Sequence, residues 1–421
     1  MFEINKLKNG LTLITIPLPH LESVTTLLAV GAGSRYETKN INGISHFLEH
    51  MFFKGSRKYP TAEIISTMVD SIGAINNAAT DKECTYYWIK SSSKHIELAS
   101  DIISSQLFES LLAEEEIERE KGVIVEELRM YKDNPARYIW ELYEKLQFGD
   151  TPLGWEIGGN EKTVTSLGRD NFVKYIGDFY SPENMALVYA GKLPSDVKVL
   201  AEKYFIDLSK DVGQGYEGYK KKKQTKYKVH VFYKKTDQCN LILGVAGFNR
   251  YDDRKYAARL LAIILGEGMS SRLFIQIRER RGLAYYVNCV HVPYQDTGFF
   301  ASYAGLKLEK AEEGLEVIKA EMERTVVERV SDEELKKAKE IERGRIAIRS
   351  ESTNFLAEHF GVEYVLDKSL ESFVDYQQKI DSVTADDVKK VASELFDKNN
   401  YNLQIMGPYR SAIKFEKILK S

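Results

Sequence analysis

Two histidines and a glutamate with metal-binding spacing lie in the segment Gly43–Met51. His46, Glu49 and His50 occupy positions i, i+3 and i+4, which share one face of an α-helix. Two imidazoles at this spacing can bind one zinc ion, and the carboxylate can accept a proton from a water at the metal. The order H-x-x-E-H is the inverse of the commoner H-E-x-x-H. The alternative interpretation is a core helix with two incidental histidines.

The composition describes a globular protein larger than one ordinary domain. The chain has 421 residues, of which 43% are hydrophobic and 29% are charged, so two domains are expected. A net charge of −3 provides no field that favours nucleic acid or an anionic membrane. The three cysteines form neither a disulfide framework nor a CxxC pair, which suits a reducing compartment. With no apolar run of about 18 residues and no signal peptide at the start, we expect a cytoplasmic protein.

The sequence contains an internal duplication. Gly191 follows Arg35 by 156 residues, and Gly407 follows Arg250 by 157, within similar surroundings. We therefore predict a first domain over 1–208, a linker over 209–227 and a homologous second domain over 228–421. The linker is rich in glycine and lysine, and a solvated linker is favoured there over a nucleic-acid site.

The second copy provides a control for the metal motif. His46, Glu49 and His50 correspond to Leu261, Ile264 and Leu265. The same helix can therefore be built from apolar residues, so the polar triplet of the first copy needs a functional reason.

A catalytic zinc site usually has three protein ligands, so two histidines leave one to be found. The glutamate-rich segment 114–128 contains the candidates. Glu120 and Glu127 are two helical turns apart and share a face, whereas Glu126 points about 100° away. The residues alone do not choose among these glutamates, and most of such a segment is ordinarily a solvated face.

The motif, with Glu127 at 77 residues beyond His50, resembles the pitrilysin family of inverted-motif zinc peptidases. The resemblance implies that His46, His50 and Glu127 bind one zinc ion per chain and that Glu49 is the general base. It also implies that Glu120 supports the metal-binding residues without itself binding the metal. The resemblance extends over nearly the whole chain and includes Gly33-Ser34-Arg35, Met51-Phe52-Phe53-Lys54-Gly55 and Tyr180-Ser181-Pro182-Glu183-Asn184.

Two further segments resemble substrate-contacting parts of that family. Arg278 and Tyr285 match an arginine and a tyrosine that contact the substrate backbone and the developing oxyanion. An ordinary helix end with surface arginines is the alternative. Asn77 and Ala78 match an edge strand that receives an extended peptide, although a buried strand is equally compatible with the residues. Two departures, Ala74 for glycine and Thr151 for histidine, leave substrate detail open.

These observations predict an α+β fold of two tandem homologous domains, each a mostly antiparallel sheet packed with helices. The predicted function is a zinc-dependent endopeptidase that acts on peptides or unfolded polypeptides. The family's working chamber has four such domains, so the resemblance implies a dimer: a homodimer, or a heterodimer with an inactive paralogue. A non-catalytic peptide-binding or scaffold subunit is the alternative function. No nucleic-acid or membrane partner is expected.

Overall fold

The computed structural model describes residues 2–206, 215–220 and 224–420. The chain is a mixed protein of two β-sheets and many helices. It forms two compact units. The first comprises Met1–Arg129, Trp155–Glu217 and Ala347–Ser372, and the second comprises Met130–Gly154, Gly218–Ile346 and Phe373–Ser421. Of the predicted linker, residues 209–214 and 221–223 lie outside the described residues.

The β-strands are β1 Glu3–Lys6, β2 Thr12–Pro17, β3 Ser23–Val30, β4 Ile75–Thr80, β5 Thr85–Ser92, β6 Met185–Gly191, β7 Lys228–Tyr233, β8 Gln238–Ala246, β9 Ala284–Pro293, β10 Gly298–Lys307 and β11 Asn402–Gly407. The α-helices are α1 Ile44–Phe52, α2 Ala62–Ser71, α3 Ile96–Phe108, α4 Glu114–Asp133, α5 Pro135–Phe148, α6 Glu161–Ser166, α7 Arg169–Phe179, α8 Val197–Phe205, α9 Arg254–Gly266, α10 Ala311–Val327, α11 Asp332–Arg349, α12 Thr353–Asp367, α13 Phe373–Ser382, α14 Ala385–Leu395 and α15 Ile413–Lys420.

The first unit contains a six-stranded sheet in the order β1-β2-β6-β3-β5-β4. Its neighbouring strands are antiparallel except for the parallel pair β2–β6. The central strands β3 and β6 are apolar runs that are almost entirely buried, as expected for strands covered on both faces. Strand β4 lies at one end of the sheet, and β5 is its partner among the described residues.

The second unit repeats this plan with a five-stranded sheet in the order β7-β11-β8-β10-β9. Here too one pair, β7–β11, is parallel and the others are antiparallel. The apolar helix α9, which corresponds to α1 in the duplicated sequence, is buried in this unit's core. Two mostly antiparallel sheets with helices confirm the predicted fold class.

The compact units differ from the predicted halves because each contains one helix from the other half of the sequence. Helix α5 packs on β8 and β11 of the second unit, where it buries Ile139 and Tyr143. Helix α12 packs on β3 and β6 of the first unit, where the Thr353 and Thr25 hydroxyls lie 2.8 Å apart. An apolar helix face must be buried against some sheet, and its periodicity does not specify which one. The boundaries at 208 and 228 stay a prediction for the duplicated sequence.

Within the described residues, no helix is long and apolar enough to cross a membrane. The cytoplasmic location stays a prediction.

Candidate metal centre

Helix α1 is held at its N-terminus by a buried carboxylate. Glu37 is 3% exposed, and its Oε2 accepts hydrogen bonds from the Gly43 N–H and the Asn42 Nδ2, each at 2.8 Å. Its Oε1 accepts from the Ser45 N–H at 2.9 Å. Burial raises the pKa of Glu37 to about 7, whereas the hydrogen bonds from Ser45 and Gly43 act to lower it. Glu37 therefore satisfies N–H groups that a helix start leaves without intrahelical partners, immediately before His46.

The structure brings together the three predicted metal ligands. The Nε2 atoms of His46 and His50 lie 3.7 and 3.3 Å from Glu127 Oε2. The two imidazole rings have centroids 4.8 Å apart. The histidines are on α1 and the glutamate is on α4, so packing between two helices forms the cluster. Glu126 is 72% exposed and pairs with Arg129, which places Glu127 rather than its neighbour at the histidines.

The cluster fits a zinc ion in both chemistry and size. One candidate ligand atom from each of His46, His50 and Glu127 lies within 4.8 Å of the others. Around tetrahedral zinc, with bonds of about 2.0–2.1 Å, ligand atoms are about 3.3 Å apart. The separations of 3.3 and 3.7 Å at Glu127 are close to that value. Two imidazoles and one carboxylate form a common donor set of catalytic zinc sites, which leaves a fourth position for water or substrate.

Glu120 contacts the ring nitrogen of His50 that faces away from Glu127. It is 2% exposed, and its Oε1 lies 2.9 Å from His50 Nδ1, while its Oε2 lies 2.5 Å from Lys54 Nζ. Burial acts to raise the pKa of Glu120, but the hydrogen bonds from His50 and Lys54 hold it below its usual value. Burial likewise acts to lower the pKa of His50, but Glu120 and Glu127 raise it to about 9. A carboxylate on the far ring nitrogen fixes the orientation of a ligating histidine.

Glu49 is placed beside the ligands by the end of strand β4. The Thr80 hydroxyl donates a hydrogen bond of 2.5 Å to Glu49 Oε2. Burial raises the pKa of Glu49, and this hydrogen bond acts in the opposite direction. A carboxylate with a raised pKa is suited to accepting a proton near neutral pH.

Strand β4 contains the predicted substrate residues Asn77 and Ala78. Asn77 is exposed, and Ala78 is 8% exposed. Ile75 on the same strand is 59% exposed, so the face of β4 that carries Ile75 and Asn77 is accessible to solvent. An edge strand of this kind can pair with an extended peptide.

Arg278 and Tyr285 lie together in the second unit. The guanidinium Nη1 donates a hydrogen bond of 3.1 Å to the Tyr285 carbonyl oxygen, and its Cζ lies 4.6 Å from the centre of the Tyr285 ring. Arg278 is in a π-helix, Phe274–Glu279, and Tyr285 is in β9. Tyr285 is 74% exposed, which leaves its phenol accessible. The two predicted residues therefore form one pair of donors, in which Tyr285 is exposed and Arg278 is partly buried.

Two family models match the chain. The one described as Insulinase (Peptidase family M16) covers residues 13–161, and the one described as Peptidase M16 inactive domain covers residues 166–342. Together they span more than half of the sequence. The chain belongs to peptidase family M16.

Relatives of full length support this membership. An "uncharacterized zinc protease" of Rickettsia bellii is 36% identical over 97% of this chain and 98% of its own length. The "uncharacterized zinc protease YmxG" of Bacillus subtilis is 32% identical over 95% and 97%. A crystal structure of a protease from Helicobacter pylori has a TM-score of 0.91 at 24% identity, covering 97% of this chain and 99% of that one, which is a likeness of fold.

The two family matches agree with the distribution of the metal motif in this M16 chain. His46, His50 and Glu127 fall within the match over 13–161. The match to the inactive domain covers the part of the second copy in which Leu261 and Leu265 take the place of the histidines. The M16 family and the names of its relatives support a zinc protease in general terms.

Three residues of this M16 site were not predicted from the sequence. Glu37 lies nine residues before His46, and a carboxylate ahead of the glycine at a helix start is a weak capping signal. Lys54 lies just beyond the end of α1, and no local pattern connects it with Glu120 on α4. Thr80 is a strand residue 31 positions from Glu49, and no local pattern connects the two.

Proposed function

We propose that this protein is a zinc-dependent endopeptidase that hydrolyses peptides or unfolded polypeptides, with one zinc ion per chain. The observation that carries the proposal is the convergence of His46, His50 and Glu127, with Glu49 held beside them. Zinc held by these residues would polarise the scissile carbonyl and lower the pKa of a water molecule. In this role Glu49 takes a proton from the attacking water and delivers it to the leaving amide nitrogen.

Other residues would hold the substrate in register. Strand β4, with Asn77 and Ala78, pairs with an extended peptide. Arg278 and Tyr285 donate to substrate carbonyl oxygens and to the oxyanion as negative charge develops. Glu120 keeps the His50 ring in the orientation that ligation requires.

The test is digestion of a quenched peptide library by the wild-type protein and by Glu49→Gln, with zinc content measured on both. We expect cleavage by the wild type alone, with zinc in both proteins. Glu126→Gln is the matched control, since it makes the same change at an exposed position one residue from Glu127 and should leave cleavage unchanged. Zinc binding without cleavage would favour the peptide-binding or scaffold function, and absence of zinc would refute the metal assignment.

We further propose a homodimer in which the second domain of one chain completes the site of the other, because both sets of residues occur in one sequence. Glu49→Gln and Arg278→Ala should each be inactive alone. Mixed dimers would contain one intact site, so mixing equal amounts should restore roughly a quarter of wild-type activity. If mixing restores nothing, Glu49 and Arg278 do not act across a dimer.

A further inference from the structure

A cavity of about 690 Å³ opens in the second unit. It lies between the start of helix α5, the turn from β7 to β8, and strands β8, β9 and β10. Its size is within the range of small-molecule and peptide side-chain pockets. None of the residues assigned above to the metal, to proton transfer or to substrate contact lines it.

Three asparagines in the lining share one hydrogen-bonding pattern. The Asn134 Oδ1 accepts a backbone N–H in the first turn of α5 at 3.3 Å. The Asn240 Oδ1 accepts from the Tyr303 hydroxyl at 2.8 Å, and the Asn288 Oδ1 accepts from the Cys289 N–H at 2.8 Å. Among the described residues, none accepts a hydrogen bond from the three amide nitrogens. In each of the three side chains, the amide oxygen therefore accepts a hydrogen bond within the protein, and the two amide N–H donors are available to a ligand.

An aromatic wall lies beside these donors. The ring centroids of Tyr286 and Tyr303 are 5.5 Å apart, and those of Trp140 and Tyr303 are 6.0 Å apart. Tyr303 is buried, whereas Tyr286 is 52% exposed. The three rings make a continuous apolar surface on which another aromatic or apolar side chain can pack.

The charge of the lining selects among occupants. It contains no lysine, arginine or histidine, and Asp237 contributes one exposed carboxylate from the β7–β8 turn. An anionic ligand would meet that carboxylate without a compensating cation. Neutral carbonyl oxygens fit the amide donors without this cost. A polypeptide offers one such oxygen per residue together with side chains for the aromatic wall.

We propose that this cavity binds a neutral stretch of polypeptide that contains an aromatic residue. The amide nitrogens of Asn240 and Asn288 donate to main-chain carbonyl oxygens of the peptide, and the wall of Trp140, Tyr286 and Tyr303 packs on its aromatic side chain. The site goes beyond the proposed catalytic function, because peptide retention here needs neither the metal nor Glu49.

The test measures binding without turnover. The probe is a neutral peptide, blocked at both ends, with one phenylalanine among alanines, titrated calorimetrically into the full-length Glu49→Gln protein. Asn240→Asp and Asn288→Asp keep the oxygen that accepts from the protein and remove the donor. We expect each to weaken binding at least tenfold, since a donor is lost and a negative charge faces the peptide carbonyl.

Asn249→Asp is the matched control. Its Oδ1 also accepts one backbone N–H, from Tyr251 at 3.0 Å, but Asn249 does not line the cavity, so affinity should stay within about twofold of the parent protein. Tyr286→Ala, at a half-exposed position, should weaken binding of the phenylalanine peptide and leave binding of its all-alanine counterpart unchanged. This variant tests the proposal even if the variant at the buried Asn240 does not fold.

Hydrogen exchange locates the bound peptide. Protection of β8 and β9 by the phenylalanine peptide, lost in Asn288→Asp, would support the proposal. Unchanged affinity in both aspartate variants, or binding of a neutral oligosaccharide in preference to the peptide, would overturn it. Because the parent protein already lacks Glu49, failure of the wild type to cleave peptides would not alter these readings.

Discussion

The residue that precedes the metal-binding helix α1 allows a direct test of what keeps that helix in place. Gly43 precedes α1 with φ at 100°, and a Cβ built there would lie 2.6 Å from the Gly158 carbonyl oxygen and 3.0 Å from the Gly159 Cα. Gly43→Ala therefore combines a backbone conformation that L-residues rarely adopt with a collision against main chain. The first costs about 1–3 kcal/mol, and the second about 1–3 kcal/mol.

We expect Gly43→Ala to lower the free energy of opening of α1 by about 2–6 kcal/mol, which is the sum of these two costs. Amide hydrogen exchange of residues 44–52 in the metal-free protein should accelerate by roughly one and a half to four powers of ten. Zinc affinity should also fall, because His46 and His50 move with the helix.

Gly73→Ala is the control for backbone conformation alone. Gly73 has φ at 60°, and a Cβ there would meet nothing within 4 Å. It should cost only about 1–2 kcal/mol and leave the exchange of α1 and the zinc affinity unchanged. Equal acceleration of α1 in the two variants would refute the view that contact with Gly158 holds the helix.

Three other changes have defined expectations. Glu120→Gln should weaken zinc binding about 10–100-fold in a competition titration, whereas Glu118→Gln, 69% exposed on the same helix, should not. Arg272→Met should cost about 1–2 kcal/mol at pH 7, because the Arg272 guanidinium lowers the pKa of Glu334 to about 2. That stabilisation is complete above the unfolded carboxyl's pKa near 4.5 and is lost as pH falls toward 2, so denaturant unfolding at several pH values should show a shrinking difference. Gly122→Ala, inside α4 and facing open space, should raise the unfolding midpoint through a gain of about 0.5–1 kcal/mol.

Each of these three can fail clearly. Equal zinc affinities for Glu120→Gln and Glu118→Gln would mean that the carboxylate behind His50 does not tune the ligand. A stability difference for Arg272→Met that is constant from pH 7 to about 2 would mean that the loss does not arise from Glu334. A lower midpoint for Gly122→Ala would mean that α4 needs glycine there.

The chemistry of the metal helix and the duplicated plan were readable from the sequence. His46, Glu49 and His50 are separated by helical spacing, so local geometry alone puts them on one face. The replacement of the histidines by leucines in the second copy showed that the fold does not require them. Strand β6 is an apolar run that ends in Gly191, and helix α7 begins directly after Gly168, so both elements have local signals in the sequence.

Some contacts of the site are not distinguished from their alternatives by local sequence patterns, and only the tertiary structure decided them. Glu126 and Glu127 are adjacent in one glutamate-rich helix, and the packing of α4 on α1 turned Glu127 toward the histidines. Thr80 reaches Glu49 of helix α1 from strand β4, and α5 and α12 each cover the sheet of the other half. The hydrophobic effect is non-directional. An apolar face in the sequence therefore predicts that the face is buried, but it does not determine which element packs against it. The amide-lined cavity likewise exists only because one helix and three strands converge.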